Sequence, residues 1–259
     1  MTISIRRVYP VLTILCMALT LAGCATTATK LPAEVPAMHS VKEFADDENI
    51  LPNDPWEGFN RSMYKFNYNF DKYVFLPVVN GYEYIAPVPV QTGVSNFYNN
   101  INEVRTFYNS LLQGKGEKSL ITFSRFLTNT TLGIGGLFDP ATYFDLKRQN
   151  EDFGQTLGVW GVGAGPYLVL PVLGPGTARS ASGFVVDSAV HSGIKNALDL
   201  PQYFSPESNG EDLLTALTVL KAIDNRHQQP FRYHDSGYVF EYELVQYLFR
   251  QSRELQVMK

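Results

Sequence analysis

The stretch DPWEGFNRSMYKFNYNFDKYVF, residues 54–75, decides the fold class. Trp56, Phe59, Met63, Phe66, Phe70 and Tyr73 recur in it at steps of 3, 4, 3, 4 and 3, the spacing of one face of an α-helix. Asp54 stands where an N-cap belongs, Pro55 suits the first turn, and Glu57 completes the spacing of a capping box. An aromatic stripe of this kind either packs into a core or rests in a lipid interface, because periodicity reports a face and not what the face meets.

The same signal recurs further along. Val94, Phe97, Ile101, Val104, Tyr108 and Leu111 line one side of a helix expected over residues 94–113, with Gly114 and Gly116 to end it. More helices are expected over 117–128, 182–198, 211–227 and 237–256. One alternating segment, 167–172, reads as a strand, and prolines hem it in. The class is mostly α, a single domain of several amphipathic helices. Two stretches break the pattern: the glycine-rich turn region TTLGIGGLFDPA, 130–141, and an uncharged run from Phe153 to Ala178. That run of 26 residues holds three prolines and seven glycines, which disqualify it as a membrane-spanning helix.

The chain starts with Arg6 and Arg7 ahead of an apolar stretch, Val8 to Ala22, that ends in Leu21-Ala22-Gly23-Cys24. This is an export signal, too short to cross a bilayer as a helix. Leu-x-Gly-Cys resembles a lipobox, which predicts a signal peptide over 1–23 and acylation of Cys24. Cys16, the other cysteine, lies in the part removed, so the exported protein has no thiol for a disulfide or a Cys-type zinc site. Residue 25 is Ala and not the Asp that usually retains a lipoprotein at the inner membrane, so an outer-membrane lipoprotein facing the periplasm is expected. Residues 24–53, with three prolines and the acids Glu43, Asp46, Asp47 and Glu48, read as a flexible tether of ~30 Å root-mean-square span. Residues 54–259 form the domain.

Charge and chemistry narrow the function. The signal peptide takes away two arginines and no acid, so a formal charge of −4 becomes −6, and nucleic acid has no electrostatic reason to bind. Seventeen Phe, 15 Tyr and two Trp suit either a ring-rich core or a membrane interface. No Gly-x-Ser-x-Gly elbow or His-Glu-x-x-His is present, and His39, His191, His227 and His234 are scattered. GVGAGP, GIGG and GKGEKS lack the spacing of phosphate loops. No cofactor, no metal and no enzymatic activity are expected. Composition and motifs leave open a structural envelope scaffold, and a lipid-active hydrolase that lacks a recognisable nucleophile motif.

DPWEGFNRSMYKFN closely resembles the opening motif of the MlaA/VacJ family of outer-membrane lipoproteins. The likeness continues through NSLLQGK at 109–115, RFLTNTTLGIGGLFDPA at 125–141 and EDFGQTLGVWGVGAGPYLVLPVLGPGTAR at 151–179. The chain departs from the family pattern at Arg179-Ser180, where an acid usually follows the arginine. It departs again at Ser236-Gly237-Tyr238 and Tyr242, where Asp-Pro-Tyr and a later arginine are usual. The resemblance implies a membrane-embedded ring of helices with a central channel. It implies a partner porin trimer, and passage of misplaced outer-leaflet phospholipid to a periplasmic carrier, which maintains lipid asymmetry. Beside it, the uncharged run reads as a gating hairpin, since irregular backbone at membrane depth must pack in protein or line a wet cavity. Gly158, Gly161, Gly163, Gly165, Pro166 and Pro171 are its candidate residues. A head group needs polar partners along its path, and Asn60, Arg61, Asn67, Arg125, Asn129 and Arg179 are the candidates, with Arg125 and Arg179 favoured for bidentate pairing with phosphate.

Overall fold

Glu57–Phe70 forms α1, which runs through a π-helical turn at Asp71–Phe75 into α2, Leu76–Ile85. The wide turn has a cause in the sequence. Pro77 has no N–H for the carbonyl four residues back and its ring crowds that carbonyl, so the bonding lengthens and the Leu76 amide donates to Asp71. The capping box does not close as expected: the Asp54 carboxylate accepts the Trp56 amide at 3.1 Å, and Glu57 reaches forward to Arg61 Nε at 2.9 Å. The structure, a computed structural model, describes residues 54–197 and 210–259; the signal segment, Cys24 and the tether lie outside these residues.

Next come α3, Val88–Leu112, and α4, Gly116–Thr131, which pack on each other through a tight turn where Gly114 takes φ 71°. Helix α3 begins earlier than its apolar spacing suggests, because Pro87, Val88 and Pro89 open the first turn without needing their own amides paired. A one-turn α5, Pro140–Tyr143, and α6, Phe153–Val159, follow. A hairpin of β1, Tyr167–Leu170, and β2, Gly174–Thr177, leads into α7, Ala178–Ala197. Helices α8, Gly210–His227, and α9, Glu241–Met258, complete the domain. Helix α6 crosses α7 so closely at Gly154 and Gly183 that a Cβ on Gly183 would overlap the Gly154 backbone. The class is mostly α, as the periodicity indicates.

The helices are inverted relative to a water-soluble protein. On α1 and its π turn, Asn60, Tyr64, Asn67 and Asp71 are at most 5 % exposed, whereas Trp56, Phe59, Phe66 and Tyr73 of the aromatic stripe are 43–68 % exposed. Helix α4 repeats this, burying Ser119, Thr122, Arg125 and Asn129 while Leu120, Phe123 and Leu127 face out. Among the described residues, 22 polar or charged side chains are buried against seven apolar or aromatic ones. No helix among them is long and apolar enough to cross a membrane, so the apolar surface is distributed over many outward faces. The small apolar core consists of Tyr64, Tyr167, Val169 and Tyr242, packed against Met63, Tyr233, Val245 and Phe249. It lies beneath the hairpin, with Tyr64 and Tyr167 each meeting Tyr242 edge-on at 5.8 and 6.0 Å.

Candidate functional site

The hairpin pairs antiparallel in the register Tyr167–Thr177, Leu168–Gly176, Val169–Pro175 and Leu170–Gly174. Its outer edge is closed by two side chains of α1. Asn60 Nδ2 donates to Tyr167 O at 3.0 Å and Asn60 Oδ1 accepts the Val169 amide at 2.8 Å. Asn67 Nδ2 donates to Leu170 O at 2.9 Å and its Oδ1 accepts the Val172 amide at 2.7 Å. Seven helical residues rise ~10.5 Å and three strand residues ~10 Å, so asparagines two turns apart match backbone groups three residues apart. Together they stand in for a neighbouring strand and cover an edge that would otherwise be open. At the tip, Val172 takes φ 67°, a strained conformation for a β-branched residue, and its bond to Asn67 helps to hold it there.

Asp54 braces the clamp from below. Its carboxylate accepts from Asn60 Nδ2 at 2.9 Å, Tyr242 Oη at 2.5 Å and Gln246 Nε2 at 3.3 Å, and so ties the start of α1 to α9. The base of the hairpin is fixed to α7 by the Ala178 and Arg179 amides, which donate to Pro166 O and Ala164 O at 3.0 and 3.2 Å.

Two cavities flank the tip. One, of about 410 Å³, lies among Phe70, Phe75, Phe231, Tyr233 and Leu248, and its charged members are Asp71 and Arg226. These two form a bidentate pair at 2.5 and 2.8 Å. The other, of about 240 Å³, is lined by Leu170, Phe184, Arg105, Asp152, Asp187 and Arg253 among others. Leu173, Gly174, Pro175 and Phe249 belong to both, so the hairpin tip and one ring of α9 form the partition. Apolar walls with a few charged groups on either side of a thin partition suit an amphiphile, whose tails need the walls and whose head needs the charges.

The structure separates the residues singled out from sequence. Of the six head-group candidates, Asn67 alone lines either cavity. Arg61 bridges Glu57 and Glu243 at 2.9 and 2.5 Å and lies 4.3 Å above the Tyr242 ring. Arg125 is buried, pairing with Glu103 at 2.7 Å and with Asp139 at 3.0 Å and donating to Leu146 O. Asn129 donates to Asp139 at 2.9 Å and accepts the Ala141 amide at 3.0 Å, so these two tie α4 to the loop after it. Arg179 is held by Glu254 and Val162 O, both at 2.9 Å.

The hairpin candidates also divide. Gly158 belongs to α6 and not to the hairpin, where a Cβ would press on Val257 at 2.7 Å; its role is packing. Gly161, at φ 90°, and Gly163, with open space around it, lie in the connector between α6 and β1. Gly165, at φ 70°, and Pro166 lie at the base, and Pro171 at the tip. Sequence reasoning missed Arg105, Asp187, Arg226 and Arg253. The Asp152–Arg253 pair, at 2.7 and 2.8 Å, spans 101 residues and leaves no local pattern. Among the described residues no group of three or more His, Cys, Asp and Glu is placed to hold a metal.

The sequence profile described as MlaA lipoprotein matches residues 52–256. The chain belongs to the MlaA lipoprotein family. A Haemophilus influenzae protein named intermembrane phospholipid transport system lipoprotein MlaA is 38 % identical over 182 residues, 69 % of this chain and 66 % of that one. The Escherichia coli K12 protein of the same name is 42 % identical over 139 residues, 52 % of this chain and 55 % of that one. The MlaA match therefore spans about half to two thirds of these relatives' length. A solved chain described under "Structural basis for maintenance of bacterial outer membrane lipid asymmetry" aligns over 80 % of this chain and 100 % of itself, with TM-score 0.58 and 30 % identity. The hairpin, its asparagine clamp and both cavities lie within the MlaA profile match.

Proposed function

We propose that this chain is an outer-membrane lipoprotein, acylated at Cys24 on the periplasmic side, that removes phospholipids from the outer leaflet and passes them through a channel to a periplasmic lipid carrier. Its domain sits in the membrane as a ring, beside a porin trimer, and the hairpin gates the lipid path. The observation that carries the reading is the inversion of the helices: aromatic and aliphatic side chains face out while asparagines, arginines and carboxylates face in. Lipid solvates an outer surface of rings and aliphatic chains, while the polar groups turned inward are satisfied by one another and by backbone. The names of the relatives support the substrate, and the two cavities beside the hairpin supply a place for it. The protein binds no nucleic acid, needs no cofactor and carries out no covalent chemistry.

The test is the phospholipid content of the outer leaflet in a strain lacking the chain, read by surface labelling of phosphatidylethanolamine. Deletion is expected to raise it, the intact chain to restore it, and Cys24→Ala to fail to restore it. An unchanged outer leaflet on deletion would overturn transport in favour of an envelope scaffold.

A further inference from the structure

The smaller cavity holds a cation that forms no ion pair among the described residues. Arg105, on α3, lines it together with Asp152, Asp187 and Arg253. Both oxygens of Asp152 are engaged by Arg253, at 2.7 and 2.8 Å, and one also accepts the Gln155 amide at 2.9 Å. Asp187 accepts from Tyr108 Oη at 2.5 Å, Asn109 Nδ2 at 3.0 Å and the Phe153 amide at 3.0 Å. Among the described residues neither acid forms an ion pair with Arg105: Asp152 is paired with Arg253, and Asp187 is met by neutral donors. Arg105 itself makes one side-chain hydrogen bond, from Nη2 to the neutral Asn150 Oδ1 at 3.2 Å, and its Nε is buried without a partner among the described residues. A guanidinium carries five N–H donors, and leaving one buried and unpaired is costly. The arginine of the larger cavity, Arg226, makes the contrast clear, since it is bidentately paired with Asp71.

We infer that the smaller cavity is a phosphodiester site, in which Arg105 takes the phosphate of a phospholipid while Leu170, Phe184 and Phe249 accept its glycerol and the start of its acyl chains. Guanidinium and phosphate oxygens match as a fork, and phosphate is the anion that a lipid brings to this depth. The apolar walls select the lipid over free phosphate. The shared partition then places the tails across the hairpin tip, toward the larger and more apolar cavity. The assignment rests on the transport reading for its ligand and is tested without it.

The experiment is isothermal titration calorimetry on the full lipoprotein in a phosphate-free maltoside detergent, with three probes: dihexanoyl phosphatidylethanolamine, dihexanoylglycerol and inorganic phosphate. The wild type is expected to bind the phospholipid more tightly than either fragment. Arg105→Gln should weaken the phospholipid about 10-fold to 100-fold and leave dihexanoylglycerol unchanged. Arg105→Lys, which keeps the charge and loses the fork, should fall between them and guards against a folding defect. Phe184→Ala should weaken both glycerol-bearing probes and spare phosphate. Wild-type phospholipid affinity in Arg105→Gln would overturn the site and leave the transport reading standing. Phosphate binding as tight as the phospholipid would assign the cavity to a small inorganic anion and overturn the lipid. A failure of transport itself shows elsewhere, as an unchanged outer leaflet in the deletion strain.

Discussion

Two glycine-rich, uncharged, apolar stretches of this chain have opposite fates. Residues 132–138, LGIGGLF, form a turn whose Leu132, Ile134, Leu137 and Phe138 all face outward. Residues 161–176 form the connector and hairpin, with Tyr167 and Val169 fully buried. What separates them is where their backbone amides find partners. The turn closes largely on itself: the Gly135, Gly136 and Phe138 amides donate to Thr130, Asn129 and Gly133 at 3.0, 2.8 and 2.9 Å, and Asn96 of α3 adds one bond from outside, to Leu137 O at 3.2 Å. The hairpin borrows partners from α1, more than a hundred residues away in sequence. A segment that satisfies its own backbone can face a medium without donors, whereas one that depends on distant side chains has to remain inside with them.

The largest effect should come from breaking the borrowed bonds. Asn60→Ala with Asn67→Ala would leave two buried and two part-buried backbone groups without these partners and is expected to cost about 3–5 kcal/mol. A lowered thermal midpoint and new chymotrypsin cutting at Tyr167 are the signs to look for. If the double variant kept wild-type stability, the contrast between the two stretches would be gone. The next effect belongs to the turn. Gly136 takes φ 94° and a Cβ there would meet Asn100 at 2.7 Å, so Gly136→Val should cost about 2–4 kcal/mol. Gly135, at φ 68° with open space around it, should cost only about 1–2 kcal/mol as Gly135→Ala. Equal losses at the two positions would mean that backbone conformation alone, and not contact with α3, sets the turn.

How much of this was legible follows from the same distinction. Helices announce themselves through a spacing of three and four, and that spacing located α1, α4 and the later long helices to within a few residues, missed the first six residues of α3, and gave no sign of α2, α5 or α6. It could not say that Trp56, Phe59 and Phe66 face out, because a stripe has the same period against lipid as against a core. The complementary row, Asn60, Tyr64, Asn67 and Asp71, was present at the same spacing. A row of buried amides and an acid opposite a row of rings is the readable mark of inversion. Strand β2 was not readable, since Gly-Pro-Gly-Thr has no strand propensity and owes its conformation to Tyr167–Leu170. Arg105 gave no signal either, because its meaning comes from the cavity it lines and from Asp152 being paired with Arg253, which only the tertiary structure decides.

A smaller effect separates fold from motion. Gly165→Val, with a Cβ 3.1 Å from that of Ala178 and φ near 70°, should cost about 1–3 kcal/mol. A Cβ at Gly163 meets no neighbour, so Gly163→Pro, which fixes φ and removes an N–H, tests the connector. If the hairpin gates lipid, both should raise surface phosphatidylethanolamine toward the deletion level. Wild-type lipid asymmetry in well-expressed versions of both would leave the hairpin a fixed partition.

The smallest effect on stability is also the one whose sign is most telling. Ile134 is exposed and holds φ 53°, a conformation that asparagine adopts far more readily than a β-branched side chain. By folded-state geometry alone, Ile134→Asn should be neutral or stabilising by up to about 1 kcal/mol in detergent. An isoleucine kept there against its backbone preference has to be favoured by what lies outside the protein. Burying that side chain in lipid is worth about 1.5–3 kcal/mol, so the variant should bind liposomes roughly 10-fold or more weakly once the Cys24 anchor is removed. A rise in the detergent midpoint together with a fall in liposome binding would identify the outward face of the turn as lipid-facing. Liposome binding that does not change would leave the strain at Ile134 without its partner and return the exposed turn to the scaffold reading.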